Sequence, residues 1–489
     1  MAKLRITAFD NGYWALRSQP AKEKISMMRA KFFARTALGL ALAMGVAAGT
    51  ASPIWAKDKP KEAPKETKLA PSKAFIPVYV AAKTAIEAAA KRPDVMAARQ
   101  AATDAQTALK NAQGKAAKTA AQTRSDAAVA AIGPLLTAEK ASVDKTAASA
   151  TNTDDKFLTG QLQLSYGTLA MDLGMQRQGI QAQLDTGRID AVNRPKYLMV
   201  MGNLAMEQRD YAAARAAFQS ASDAGAAPGE ALINLADAFI KDNQIPAGLK
   251  VLQDAVVKSG AAAPEGWMRY GIATSYKAKM PGEAAMFSNE LVAAYPTKEN
   301  WSLAIAVVRD LNGYQGHDQI DLLRLMQRTG SFSEERDYVE YVQALSKRGM
   351  PGEALKIIDQ GVAAGMLKPG DEFVSDAKKE SQARLASDKA SLPGQEREAR
   401  APNASAVTIT AAADTLLSYD MAANAEELYK LALAKPGVDA TRVYLRLGIA
   451  QTDQGKYADA QASLAKVTDA RAPIAQLWSA YAKAKAAGK

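Results

Sequence analysis

Between Thr441 and Val467 the apolar positions recur every three to four residues in two short runs, broken at Asp453-Gln454-Gly455. Tyr444, Leu447 and Gln451 share one face of the first run; Ala460, Leu464 and Val467 share one face of the second. A 3.6-residue period on both sides of a Gly-containing break predicts two amphipathic helices folded back on each other. Gly448 and Ala460 are small where the two backbones would cross closely.

The same pattern recurs upstream. Counting Pro195 as position 1, Leu198 stands at 4, Met201-Gly202 at 7 and 8, Ala205 at 11, Ala214 at 20, Phe218 at 24 and Ala221 at 27. A second unit starts at Gly229, with Leu232, Leu235-Ala236, Phe239, Gly248, Leu252 and Ala255 in those places. A third starts at Pro264, with Trp267, Tyr270-Gly271 and Phe287, its small residue Ala284 one place late. A fourth starts at Lys298 with Trp301, and its second half loses the pattern near Asn312-Gly313, which reads His317 as a loop residue. A fifth starts at Glu335, with Tyr338, Tyr341, Leu345, Ala354 and Ile358. Ala406 and Thr441 open two more. The first five starts are spaced by 34, 35, 34 and 37 residues, and a fixed period in this range marks an array of helix pairs. Pro-Gly-Glu-Ala at 228, 281 and 351 reads as a helix-start device, with Pro and an acid at the positive helix end.

With Leu-Gly at 7 and 8, Ala at 20 and a bulky residue at 24, the 441–467 unit resembles a tetratricopeptide (TPR) repeat, departing at position 11, where Gln451 replaces the usual aromatic. The resemblance implies an all-α, TPR-type α-solenoid of stacked antiparallel helix pairs, preceded by Ala-rich helices. Each pair buries too little alone, so neighbours share one core; Phe218, Trp267 and Trp301 are expected as core plugs. In that family the first helices line a concave groove, so the resemblance places a peptide-binding groove at Met199, Asn203, Met206, Ile233, Asn234, Asp237, Ile240, Met268 and Arg269. Asn203, Asn234 and Arg269 resemble part of the carboxylate clamp of heat-shock co-chaperone TPR domains, whose two lysine positions are here Met199 and Glu265. Such a clamp needs amide donors and a guanidinium converging on one carboxylate. The plainer reading is that both asparagines satisfy neighbouring helix backbone. The methionines and isoleucines nearby suit an adaptable apolar groove.

Outside the array the chain divides by composition. Residues 1–56 contain a basic stretch (Arg29, Lys31, Arg35), an apolar run from Thr36 to Ala51 and small residues at Ala51 and Ala56. This is a signal-peptide pattern with a true start near Met27 or Met28. It implies an exported and, in a Gram-negative source, periplasmic protein. Residues 57–74 are a Pro/Lys-rich linker, and 75–194 an Ala-rich helical region ending in a lead-in hairpin that turns near Asp172-Leu173-Gly174. The array occupies 195–367; 368–405 is charged and aperiodic, either a helix pair or a hinge; 406–489 holds the last two units and a capping helix with Leu477, Trp478 and Tyr481.

The net charge of +11 does not point to nucleic acid. Eight Lys/Arg against two acids in 1–56 account for +6, six Lys against three acids in the linker for +3, and no basic stripe remains. The linker offers contact with a membrane surface or cell wall, which makes a cell-envelope structural protein the alternative to a scaffold. With one histidine and no cysteine, the chain carries no thiolate or Cys/His metal site and no Cys/His pair. No Ser triad or phosphate loop stands out either. The expectation is therefore a non-catalytic scaffold or adaptor for a protein or peptide segment, serving cell-envelope assembly or secretion. No catalytic residue, metal, cofactor or small-molecule substrate is expected.

Overall fold

The computed structural model describes residues 69–488. Residues 1–56, expected to be an export segment, and residues 57–68 of the expected linker lie outside the described residues. Those described form twenty-two α-helices and two short 3-10 turns, with no strand among them, and divide into two compact units at Ser259/Gly260.

The first unit begins with α1 (Phe75–Ala89), α2 (Pro93–Asn111), α3 (Lys115–Ala130) and α4 (Thr137–Ser149). The breaks fall at Pro93, Gly114 and Gly133-Pro134, where ring sterics and positive φ (79° at Gly114) end helices. Their core is thin, as the composition predicts: Ile86, Val95, Ile132, Leu136 and Val143 are its larger members beside Leu162 and Tyr166. The lead-in hairpin is α5 (Thr153–Ala170) and α6 (Leu173–Asp185), followed by the pairs α7 (Arg194–Glu207) with α8 (Tyr211–Asp223) and α9 (Pro228–Lys241) with α10 (Ile245–Ser259).

Asp155 ties the start of this unit together. It completes a capping box with Asn152 at the head of α5. Its carboxylate also accepts from Ser72 N–H and Oγ at 2.8 Å and from Thr151 N–H at 3.0 Å. Burial pushes this carboxyl up, but the N–H groups of Thr151, Ser72 and Asn152 and the Ser72 hydroxyl outweigh it and hold it at about 2. Its folded pKa is thus below the unfolded value of about 3.9. The stability it contributes is present above pH ~4 and is lost as pH falls toward ~2. Asp155→Ala should cost about 2–4 kcal/mol at neutral pH. In thermal melts the gap between wild type and variant should narrow on acidification.

The second unit holds the pairs α11 (Glu265–Lys277) and α12 (Pro281–Ala294), α13 (Lys298–Asn312) and α14 (His317–Thr329), and α15 (Glu335–Arg348) and α16 (Pro351–Ala363). Then come the long α17 (Glu372–Ala399), the pairs α18 (Ala406–Ser418) with α19 (Ala422–Leu433) and α20 (Ala440–Asp453) with α21 (Tyr457–Leu464), and finally α22 (Ala472–Ala486). One apolar core runs from Ala285 to Ala480.

The repeat chemistry works as the period requires. A Cβ on Gly271 would meet the Phe287 ring at 2.6 Å, one on Gly448 would meet Leu464 at 2.5 Å, and one on Gly202 would collide with Phe218. Glycine at position 8 is the socket for the bulky residue at position 24. The turn inside each pair places one left-handed residue at position 15 or 16: Arg209, Asn243, Lys279, Gly313, Gly349, Asp420 and Gly455. The three Pro-Gly-Glu-Ala segments open α9, α12 and α16, as a helix-start device should.

Four expectations are corrected. Residues 372–399 are one 28-residue helix, not a hinge or a helix pair. It packs between α16 and α18, and its buried residues, Val374, Ala377, Ser381 and Ala399, are too few to give a helical period to so charged a segment. The fourth repeat is complete: α14 is a full helix, and His317 is its first residue. Trp301 and Phe218 are buried, but Trp267 is only half-buried. The final helix does more than cap α21, since it also packs against α12, α13 and α14.

Candidate functional site

That closure gives the second unit an interior unlike an open groove. In α14 seven consecutive residues, Ile320 to Met326, are buried, so the helix is covered all round. Two of the seven, Asp321 and Arg324, are charged. Arg324 reaches α16, donating Nε to Glu353 Oε1 at 2.9 Å and Nη2 to Oε2 at 2.7 Å, and back to Asp321 at 3.1 Å. Arg446 on α20 donates Nε to the other oxygen of Asp321 at 3.1 Å and Nη1 to Asp414 on α18. Arg442 adds a bond to Asp414 at 2.8 Å. Tyr341 and Tyr429 donate their hydroxyls to Glu353 at 2.5 Å and Asp414 at 2.8 Å.

Acids and guanidiniums thus alternate from Glu353 through Arg324, Asp321, Arg446 and Asp414 to Arg442, with three of each. Burial pushes Asp414 up, but Arg446 and Arg442 hold it below the usual carboxylate range. Glu353 follows the same rule, with Arg324 outweighing burial. The arrangement joins α14, α16, α18 and α20, whose members lie up to 125 residues apart in sequence.

The terminal helix completes the closure. Trp478 donates its indole N–H to Asp321 O at 3.0 Å, Tyr481 its hydroxyl to Arg328 O at 3.2 Å, and Arg471 its Nε to Asp318 at 3.1 Å. Arg328 pairs with Asp453 at 2.8 Å along the same seam.

The residues expected to line a groove fall in both units. In the first, Met199 and Asp237 are buried, whereas Asn203, Met206, Ile233, Asn234 and Ile240 are half-exposed on α7 and α9. Asn234 donates to Glu230 O at 3.0 Å within its own helix. In the second, Met268 is buried, and Arg269 is engaged by Glu265 at 2.7 Å and by Asn300.

A groove away from the residues expected to line one lies in the first unit across α6, α7 and α8, with a volume of about 660 Å³. Its floor includes Leu184, Leu198 and Met201, and its rim Arg177, Gln181 and Gln208. Arg177 is held in place by Gln208 at 2.6 Å and Asp210 at 3.0 Å. Rim residues at exposed positions of helices carry no periodic signal, so only the packing of three helices reveals them.

No family model matches the sequence, and no curated protein matches it. Among solved structures, a tetratricopeptide repeat protein from Parabacteroides merdae is similar at 13% identity, over 53% of this chain and 99% of that one, with a TM-score of 0.24. The pentatricopeptide repeat protein PPR10 from maize shows 16% identity over 80% of this chain and 58% of its own, TM-score 0.27. A monomeric mutant of IFIT1 with m7Gppp-AAAA shows 11% identity over 74% and 82%, TM-score 0.20. The chain's own geometry defines its class: antiparallel helix pairs near a 34-residue period, a position-8 glycine under a position-24 bulky residue, and a recurring left-handed turn residue. It is an all-α protein of stacked, TPR-type helix pairs.

Proposed function

We propose that this protein is an exported, non-catalytic scaffold that binds a protein or peptide segment, in cell-envelope assembly or secretion, through its first unit. The observation that carries the reading is the open groove across α6 to α8, with an apolar floor and a rim of guanidinium and carboxamide groups and the carboxylate of Asp185. This is the layout of a peptide-sized interface, with an apolar centre and a polar edge. The half-exposed Asn203, Met206, Ile233 and Ile240 on the first helices offer a second mixed face. Export is supported by the basic, apolar and small-residue order of residues 27–56.

A photo-crosslinking residue placed at Gln181, at Asn203 or at the exposed Val257 in the full chain in cells tests both parts. One discrete adduct from Gln181 or Asn203, absent from Val257, is the expected result. N-terminal sequencing of the adduct should begin after Ala51 or Ala56. Equal, diffuse labelling from all three positions overturns the scaffold reading, and an intact Met27 start overturns export.

A further inference from the structure

The chain of buried charges leaves three nitrogen atoms without a partner, all at one end of α14. Arg442 Nε, Arg446 Nη2 and His317 Nδ1 are buried and make no hydrogen bond. Arg446 itself is fully buried. Both arginines already share one oxygen of Asp414, and the groups whose charges bear on His317 are Arg446, Asp414, Arg442 and Arg348, in that order. Buried guanidinium N–H groups are costly to leave unmade, and native interiors rarely do so.

The helix end beside them is built to match. Gly316 caps α14 with φ 60° and ψ −121°, and no side chain accepts from the first-turn N–H groups. A Cβ on Gly316 would collide with the Arg348 guanidinium, so glycine is what lets that exposed arginine lie over the helix start. The acid of the first turn, Asp318, is taken by Arg471 at 3.1 Å. Around this point Arg324, Arg442 and Arg446 balance Asp321, Glu353 and Asp414. Arg348 has no ion pair among the described residues, whereas Arg471 alone faces three acids, Asp318, Asp439 and Asp469.

We propose that this end of the second unit binds one oxyanion group, a carboxylate or a phosphate, between Arg442, Arg446, Arg348 and the imidazole of His317. The helix N-terminus supplies partial positive charge, and the guanidiniums supply charge-assisted donors. The site is independent of the scaffold reading, because it lies wholly within the other unit.

His317 is the chain's only histidine, so one imidazole reports on the site. Burial, then Arg446 and Arg442, hold its pKa at about 3, with Asp414 opposing them. It is neutral at neutral pH, and an anion beside it draws it toward the protonated form. Histidine-labelled full chain is titrated at neutral pH with inorganic phosphate, with acetate, and with chloride at matched ionic strength, while the imidazole nitrogen shifts are followed. We expect a saturable shift with phosphate or acetate and none with chloride, and the stronger of the two identifies the group. Arg348→Gln, at an exposed position, should fold normally and weaken the titration about tenfold, the worth of one charge-assisted contact. Arg442→Lys keeps the charge but removes Nε as a donor, and should weaken it too. No shift, an equal shift with chloride, or curves unchanged in both variants would each overturn the site.

Discussion

Arg446→Met is expected to destabilise the second unit by about 3–5 kcal/mol, the cost of removing one partner from a buried ion pair. Arg446 is fully buried and holds two carboxylates at once, Asp321 and Asp414. Methionine fills similar volume, so the loss isolates the charge. Asp414 keeps Arg442 and Tyr429, and Asp321 keeps Arg324. Asp321 is the weaker survivor, since burial pushes its carboxyl up, against the pull of Arg446 and Arg324. In the variant that rise grows, and a carboxyl with a raised folded pKa penalises folding only above its unfolded value. The deficit should therefore be largest at neutral pH and shrink toward pH ~4. Denaturant melts of wild type and variant across that range check both the size and the sign. A deficit under ~1 kcal/mol with no pH dependence would mean that the buried charges are not coupled as the distances indicate. Replacing Arg324 and Glu353 together by apolar residues should cost far less than removing either alone, because neither charge is left behind.

The fold is legible in the sequence where one residue's role repeats. Gly202, Gly271 and Gly448 stand at the same repeat position, each under a bulky side chain, and a period near 34 makes such coincidences visible. Gln451, the departure from the usual aromatic, has a partner on each side: Glu426 at 3.3 Å and Ser463 at 2.8 Å. Its meaning depends on a neighbouring repeat, which no position rule contains. Glu353 is sharper still. Three identical Pro-Gly-Glu-Ala segments start helices, yet only this one turns its glutamate inward to Arg324 and Tyr341. What decides is α14, a helix buried on every face from Ile320 to Met326 that the sequence pattern shows only as a faded repeat. Its Asp321 and Arg324 interrupt the apolar stripe that would have announced it. The groove across α6 to α8 was illegible for the opposite reason, since exposed rim residues are free of any periodic constraint.

The largest loss is expected on removing the terminal helix. Its Trp478 is fully buried, donates to the backbone of α14, and stacks edge-on with Tyr481 at 6.0 Å. Tyr481 in turn meets Trp301 of α13 edge-on at 6.1 Å. Trp478→Ala should cost about 3–5 kcal/mol. Ending the chain after Ala470 should be worse, because it also uncovers the apolar faces of α12, α13 and α14. Hydrogen exchange separates this from ordinary end-capping. A cap stabilises its neighbours, so its loss would free amides in α20 and α21 and leave the start of the unit protected. A helix that closes the unit should release α12 to α14 as well, although Trp478 and Asp321 alone are 157 residues apart in sequence. Protection retained in α12 to α14 after Trp478→Ala would show that the contacts with Asp321 O and Trp301 contribute nothing to holding the early pairs. The C-terminal helix would then be only an end piece. Loss at both ends together would show that the second unit folds as one body around α14, with its own last helix as the keystone of the inner face.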